Sequence, residues 1–513
     1  MLGHLARLVF GGAARNPRGA EARHSGARSI LRNAVFLLGA QTVTTITRGG
    51  YAVLLAFYLG PEIYGLFNYG QSWYLAFLPF CNFGLSAIVS RAIGRDPQHG
   101  RTLIGHVLRL RMLATACIVV LCLGLGWWTE SSPQVRWLLF LFSLALVGRS
   151  IALLANGVFA AYEATRHTLR LEATFRLLEV TLGTLVLLSG GGLLAAATVH
   201  AGAWCAQGLA GLLVVRRHFE PLRTGWSRGA MVALLATGLP LGISEVLHAW
   251  LLQGPLVLFR HVNGAGDALG YLALATQAFH ILATVNWAVG SAGLPVLSRT
   301  VFRRDGKELL FVEVMLRVGL LFGSVAGLAA LALGPALVAL LFGPRYAETG
   351  TLLGLAQWLL IPAAWTSTLA HPLFAQGRVW AQVASSAAGA IMLTVSMPAL
   401  ATRFGARGAL AATALGFLAS AACLLLFFLR TNSINLGQAL LRPLVSVALS
   451  LGTYLALRPA GPVLALSTAL VVLAGGALLL RVFSPEERSA LAMLLLRLPG
   501  RARESGEHTG GRA

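Results

Sequence analysis

Two arginines stand where a chain this apolar leaves little room for charge: Arg48 and Arg149 each fall inside a long hydrophobic run. A guanidinium presents a planar fork of donors that can grip a phosphate through two bonds at once. An anion held away from water is therefore the first chemistry to consider. Gln41, Thr44 and Thr45 precede Arg48 by seven, four and three residues, which puts all four on one helix face. Asn156 follows Arg149 by seven and shares its face. The later half carries a second group, Glu245 with His248 one turn on, and Gln277 with His280. A carboxylate there can pair with an arginine or take up a proton, and a histidine titrates near neutrality. Each of these also has a plainer reading: a static ion pair or carbonyl-capped arginine, a paired Glu245, a hydrogen-bonded core histidine at 280. Glu179 reads with Arg176, three residues before it, as a local pair.

Other chemistry is missing. Cys81, Cys117, Cys122, Cys205 and Cys423 all sit in apolar runs at unrelated spacings, giving neither a metal pattern nor a disulfide framework. There is no phosphate loop and no nucleophile paired with a base, so no cofactor and no metal is expected. Tyr74, Trp250 and Trp287 could stack on sugar rings, although an aromatic in such a run is more often packing or an interfacial belt.

The elements that must hold these residues follow from composition. Of 513 residues, 57% are hydrophobic and 11% charged, with mean hydropathy +0.74. Soluble domains carry about 45–50% apolar and about 25% charged residues. That difference excludes a soluble enzyme, a disordered chain and a disulfide-stapled secreted domain. Apolar runs of about 20 residues, the thickness of a bilayer core, recur from Asn33 almost to Val482. The expected fold is all-α and membrane-integral with about fourteen spans. We read a basic tail over 1–32 and one six-helix lobe over 33–215. A second six-helix lobe covers 229–429, two further helices cover 443–482, and a basic tail covers 483–513. Arg48 lies midway along the first span and Arg149 midway along the fourth. A central arginine costs roughly 2.5–3.5 kcal/mol on insertion scales, so each needs a wet cavity or a partner.

A net charge of +22 would suggest nucleic acid in a soluble protein, but its placement says otherwise. With the N-terminus inside, thirty-two of the 40 basic residues fall in cytoplasmic segments, including 91–111, 163–176 and 299–317. Six face outward: Arg136, Arg260, Arg345, Arg403, Arg407 and Arg458. This is the positive-inside asymmetry. It implies both termini inside and attraction to membrane lipids, not nucleic acid. The first 32 residues lack the apolar core and cleavage site of a secretory signal. The longest outward loop is expected near 334–350, with Ala336 to Phe342 at the interface, which leaves no room for an extramembrane catalytic domain. Arg91 and Arg299 sit at matched cytoplasmic mouths, where they could draw in a phosphorylated headgroup or simply anchor the helices.

An internal repeat accompanies this pattern. Gly60-Pro61-Glu62-Ile63-Tyr64-Gly65-Leu66-Phe67 and Gly264-Ala265-Gly266-Asp267-Ala268-Leu269-Gly270-Tyr271 each precede a long span ending in Ser-Arg, at Ser90-Arg91 and Ser298-Arg299. Both begin on the same side of the membrane. Parallel repeats of this kind place a substrate between two pseudo-symmetric lobes near the midplane.

The stretch from Arg32-Asn33 through Gly39-Ala40-Gln41, followed by Phe57-Tyr58-Leu59 and the Gly60–Phe67 motif, resembles the start of the oligosaccharide flippases of polysaccharide biosynthesis. These share a superfamily with MATE multidrug exporters and the lipid II flippase. Gly238-Leu239-Pro240-Leu241, Leu294-Pro295-Val296-Leu297-Ser298 and Leu341-Phe342-Gly343-Pro344-Arg345-Tyr346-Ala347-Glu348 extend the resemblance over about 30–430. It implies an inner-membrane flippase that carries an undecaprenyl-pyrophosphate-linked oligosaccharide for exopolysaccharide, O-antigen or capsule synthesis. The implied partners are that lipid-linked sugar, membrane lipids, and a polysaccharide polymerase and chain-length regulator. Arg48 and Arg149 together could bind the pyrophosphate, and the resemblance strengthens this for Arg48, because the lipid II flippase branch carries an arginine at a similar place in its first helix. A MATE-like drug exporter is the alternative, but it would favour an acidic cavity for cations. A membrane polysaccharide polymerase would need a larger outward loop, and a transport-inactive scaffold for polysaccharide assembly is a further reading.

Overall fold

The computed structural model describes residues 20–85, 88–89, 97–218, 227–284, 307–430, 432, 435–484 and 487. Arg91, Arg299, Trp287 and the Leu294–Ser298 motif lie outside them. Among the described residues there are helices and turns but no strand.

The first helix among the described residues is α1 (Ala20–Asn82), which breaks at Gly60 (φ 76°, ψ 169°). Pro61 follows, where its missing N–H costs nothing at the start of the second arm. Residues of both arms line one cavity, so the chain reverses at Gly60. Next come α2 (Pro97–Thr129), α3 (Pro133–Ala161), α4 (Arg166–Leu188) and α5 (Leu193–His218). The later half holds α6 (Arg228–Asn263), α7 (267–284), α8 (Lys307–Phe342), α9 (Ala347–Gln357) and α10 (Leu360–Ala375). It continues with α11 (Val379–Leu429), which breaks at Gly405 (φ 57°, ψ −136°), then α12 (Arg442–Leu457) and α13 (Pro462–Leu479).

Among the described residues, ten stretches are long and apolar enough to cross a membrane, and the two longest contain the Gly60 and Gly405 breaks. The outer surface agrees: Trp128 is 82% exposed and Leu479 84%. Water would not tolerate so many exposed apolar side chains, whereas lipid accepts them. The protein is thus a multi-pass membrane protein of the expected all-α class.

The helices run further than the apolar runs, which corrects several boundaries. α2 starts at Pro97 and not near 111, and α4 starts at Arg166 and not near 173. The outward loop expected over 334–350 is mostly helix, since α8 continues to Phe342 and a single 3-10 turn, Pro344–Tyr346, leads into α9. Three arginines counted as cytoplasmic loop charges are instead buried within helices: Arg111, Arg176 and Arg317. Each is held there by hydrogen bonds from most of its donors to groups inside the protein. Arg111 donates to Ser150 Oγ and Asn82 Oδ1, both at 3.1 Å. Arg317 donates to both oxygens of Glu487, at 3.0 and 3.2 Å, and to the Val482 carbonyl at 2.6 Å, tying the chain after α13 to α8. Removing these three residues from the count leaves the basic asymmetry large.

The two glycine-rich motifs meet. A Cβ on Gly65 would lie 2.6 Å from the Gly270 nitrogen, and one on Gly270 would strike the Pro61 carbonyl. Only glycine permits this backbone-to-backbone seam. Around it, the Tyr346 hydroxyl donates to the Ala56 carbonyl at 2.8 Å, and Arg260 pairs with Glu130 at 3.0 Å. The Gly60 end of the bundle is thereby closed between the two halves. At the opposite end Phe83 and Gly84 pack against Gly238, Leu241 and Gly242 of α6.

Candidate functional site

Beneath the seam lies a cavity of about 390 Å³. Both arms of α1 contribute Gln41, Thr44, Arg48, Tyr51, Tyr64 and Asn68, and α3 contributes Arg149 and Asn156. α4 supplies Thr168, Glu172, Arg176 and Glu179, α5 supplies His200 and Trp204, and Gln277 of α7 completes the lining. The α4 set recurs every three or four residues, so one helix face projects it inward.

Close packing of α3 on α5 sets the geometry. A Cβ on Gly208 would lie 2.5 Å from the Gly148 carbonyl oxygen, and one on Gly148 would overlap the Trp204 backbone. With the two backbones in contact, Arg149 comes to rest over the Trp204 ring, 4.6 Å from its centroid, and Arg176 packs on the same ring at 3.9 Å. Such cation–π contacts replace part of the hydration that a buried guanidinium gives up.

A hydrogen-bonded chain runs behind this layer. Arg149 donates to the Tyr74 hydroxyl at 3.0 Å, and that hydroxyl lies 3.3 Å from His200 Nε2. His200 Nδ1 is 2.6 Å from one oxygen of Glu179, whose other oxygen takes Arg176. Arg176 also donates to Gln207 at 2.9 Å. Glu179 therefore neutralises Arg176 and is shared with His200. Replacing it with alanine strands a buried guanidinium, and breaking such a pair from one side typically costs about 3–5 kcal/mol. We expect Glu179→Ala to lower the thermal unfolding midpoint in detergent sharply. Glu179→Gln keeps a hydrogen-bonding side chain in place and should lower it less.

Arg48 and Arg149 differ from Arg176. Neither has a carboxylate partner among the described residues. Arg48 donates only to Gln277 Oε1, at 3.3 Å, across to the later half of the chain. The Nε atoms of both are buried without a hydrogen-bond partner, as are Thr168 Oγ1, Glu172 Oε2 and the Trp204 indole nitrogen. Glu172 accepts only from Asn156, at 3.3 Å. The cavity thus offers unmatched positive charge in one layer and unmatched acceptors in another.

The structure brings together five of the residues singled out in the sequence: Gln41, Arg48, Arg149, Asn156 and Gln277. Thr44 joins them, while Thr45 points outward and bonds the Gln41 carbonyl. Glu245, His248 and His280 do not line this cavity. Glu245 accepts from Asn82 at 3.1 Å, and Asn82 in turn accepts from Arg111, so the carboxylate reaches an arginine of the first half only through a bridge. His248 is exposed on α6, and His280 packs beside the Phe279 ring. Tyr74 is fully buried against Phe142 and acts as a link behind Arg149, not as a sugar platform. Trp250 donates to Thr394 at 2.9 Å in the later half. Sequence reasoning missed Thr168, Glu172, His200, Trp204 and Gln207. Their signal was present as polar stripes at helical spacing on α4 and α5, but nothing in the sequence said that those faces turn inward.

Comparison with known proteins agrees with this architecture. The family described as polysaccharide biosynthesis protein matches residues 30–301, more than half of the chain. No curated protein matches by sequence. A multidrug resistance MATE family transporter of the MOP superfamily in its inward-facing conformation is 15% identical with a TM-score of 0.63, covering 78% of this chain and 98% of that one. The lipid II flippase MurJ in an inward closed conformation is 13% identical with a TM-score of 0.63, covering 90% and 100%. A MOP superfamily transporter from Pyrococcus furiosus Vc1, described as having a binding pocket of reverse polarity, is 15% identical with a TM-score of 0.54, covering 78% and 95%. The chain belongs to the polysaccharide biosynthesis protein family and shares the fold of these MATE and MurJ structures.

Proposed function

We propose that this protein flips an undecaprenyl-pyrophosphate-linked oligosaccharide repeat unit across the bacterial inner membrane, for exopolysaccharide, O-antigen or capsule synthesis. One observation carries the reading: Arg48 and Arg149 share a cavity, and among the described residues neither has a carboxylate within ion-pair distance. Buried positive charge without a counter-ion is a site for an anion, and pyrophosphate is the anion that a lipid-linked sugar carries. A cation exporter would want the opposite balance.

In this reading 33–215 and 229–429 are two six-helix lobes, helices over 443–482 complete fourteen spans, and both termini are cytoplasmic. The seam at the Gly60 end is then the closed outward gate. Alternating access opens it while the opposite end closes. The headgroup crosses inside the cavity as the lipid tail stays in the bilayer. Membrane lipids surround the protein, and a polysaccharide polymerase and chain-length regulator act on what it delivers.

Deleting the gene tests this directly. A completed repeat unit on its lipid carrier should accumulate on the cytoplasmic leaflet and clear when the gene is restored. An unchanged lipid-linked pool with raised drug sensitivity would instead indicate an exporter, and unpolymerised units on the outer face a polymerase.

A further inference from the structure

The cavity is not uniformly basic, and its second layer has a use that the phosphate does not explain. Asn156 lies seven residues beyond Arg149 on α3, and Gln41 seven before Arg48 on α1, so each sits about 10 Å from its arginine along the helix. Glu172 and Thr168 lie one and two turns from Arg176 on α4, toward the end of the cavity away from the Gly60 seam. Gln41, Asn156, Thr168 and Glu172 all line the same space.

Two features of this layer ask for a ligand. Thr168 is 96% buried on its 4% exposure, yet its hydroxyl has no partner. Glu172 has one oxygen on Asn156 and the other buried and unpartnered. An ionised carboxylate only accepts, and a buried acceptor without a donor is costly. The missing group must therefore bring donors. It must also sit within about 10 Å of an anion held by Arg48 and Arg149. Hydroxyls or an ammonium on a sugar ring next to a phosphate meet both conditions. A second carboxylate does not, because it would face Glu172 at short range in a poorly screened site.

We infer that Glu172, with Asn156 and Thr168, forms a subsite for the sugar attached to the phosphate, and that it selects a neutral or amino sugar and rejects a uronic acid. This rests on the phosphate reading above and adds the class of the first sugar to it. Asn156 positions the carboxylate, the free oxygen of Glu172 accepts from a ring substituent, and Thr168 supplies a hydroxyl that can donate or accept.

Binding to the purified full-length protein in detergent tests it, by calorimetry with inorganic pyrophosphate, glucose 1-phosphate, glucosamine 1-phosphate and glucuronic acid 1-phosphate. Pyrophosphate should bind, and binding should vanish when Arg48 and Arg149 are both alanine. The two non-acidic sugar phosphates should bind at least about tenfold more tightly than the glucuronate, the scale of one unfavourable charge contact. In Glu172→Gln that ratio should fall to near unity. Equal wild-type affinities for glucose 1-phosphate and glucuronic acid 1-phosphate, with pyrophosphate bound, would overturn the sugar subsite alone. Discrimination that survives in Glu172→Gln would overturn the role of Glu172. No binding of pyrophosphate would overturn the phosphate site and this inference together.

Discussion

Replacing Arg48 and Arg149 together by alanine should abolish delivery of lipid-linked sugar while the protein still inserts into the membrane. Each guanidinium offers charge-assisted hydrogen bonds worth about 1.5–3 kcal/mol, so losing both weakens the hold on a phosphate by roughly 100-fold to 10,000-fold. Insertion should not suffer, because removing a central arginine relieves a cost of about 2.5–3.5 kcal/mol. Neither residue is part of the Arg176–Glu179–His200 cluster, so that cluster stays paired although the Arg149 bond to Tyr74 is lost. The single variants separate the two roles. Arg48→Ala also cuts the bond to Gln277 between the halves, whereas Arg149→Ala removes the cation stacked on Trp204. Arg149→Lys keeps the charge but loses the planar fork, and should recover only part of the activity. The measurement is complementation of the deletion strain beside quantified membrane-inserted protein. Full complementation by a well-inserted double alanine variant would remove the phosphate site from the mechanism.

The second large effect belongs to the seam. In Gly270→Val the new side chain meets the Pro61 backbone carbonyl, and backbone cannot swing aside as a flexible side chain can. The Gly60 end should then fail to close. Alternating access requires each end to close once per cycle, so transport should fall to background with insertion preserved. A cysteine at cavity residue Asn68, in a background lacking the native cysteines, reports the state. It should react with an impermeant thiol reagent from the Gly60 side in the valine variant and stay protected otherwise. Gly50→Ala is the control, since a Cβ there meets nothing within 4 Å. Normal transport by Gly270→Val would mean that the seam is no gate.

Much of this architecture is legible in the sequence alone. Composition required a membrane protein, and the positions of Arg48 and Arg149 midway along apolar runs required a cavity or partners, because lipid offers a buried cation nothing. Their helical offsets to Gln41 and Asn156 put those pairs on shared faces, and the cavity contains all four. These inferences succeed because hydropathy, helical period and the cost of charge in lipid are local properties, readable a few residues at a time.

The tertiary structure alone decided which faces meet. Arg111, Arg176 and Arg317 read as loop charges because hydropathy counts a charge as an ending, yet the fold brings partners to each: Asn82 and Ser150 to Arg111, Gln207 to Arg176 beside its helix neighbour Glu179, and Glu487 to Arg317. Glu245 looked like a direct partner for a cavity arginine, but its helix turns it to Asn82. Glu172 and Trp204 gained their roles only when Gly148 and Gly208 let α3 and α5 touch and α4 closed over the remaining side. A lone sequence fixes the energetic need of a buried charge, since that need belongs to the residue. Which group meets it depends on helix rotation and approach, and those are set by packing between segments far apart in the chain.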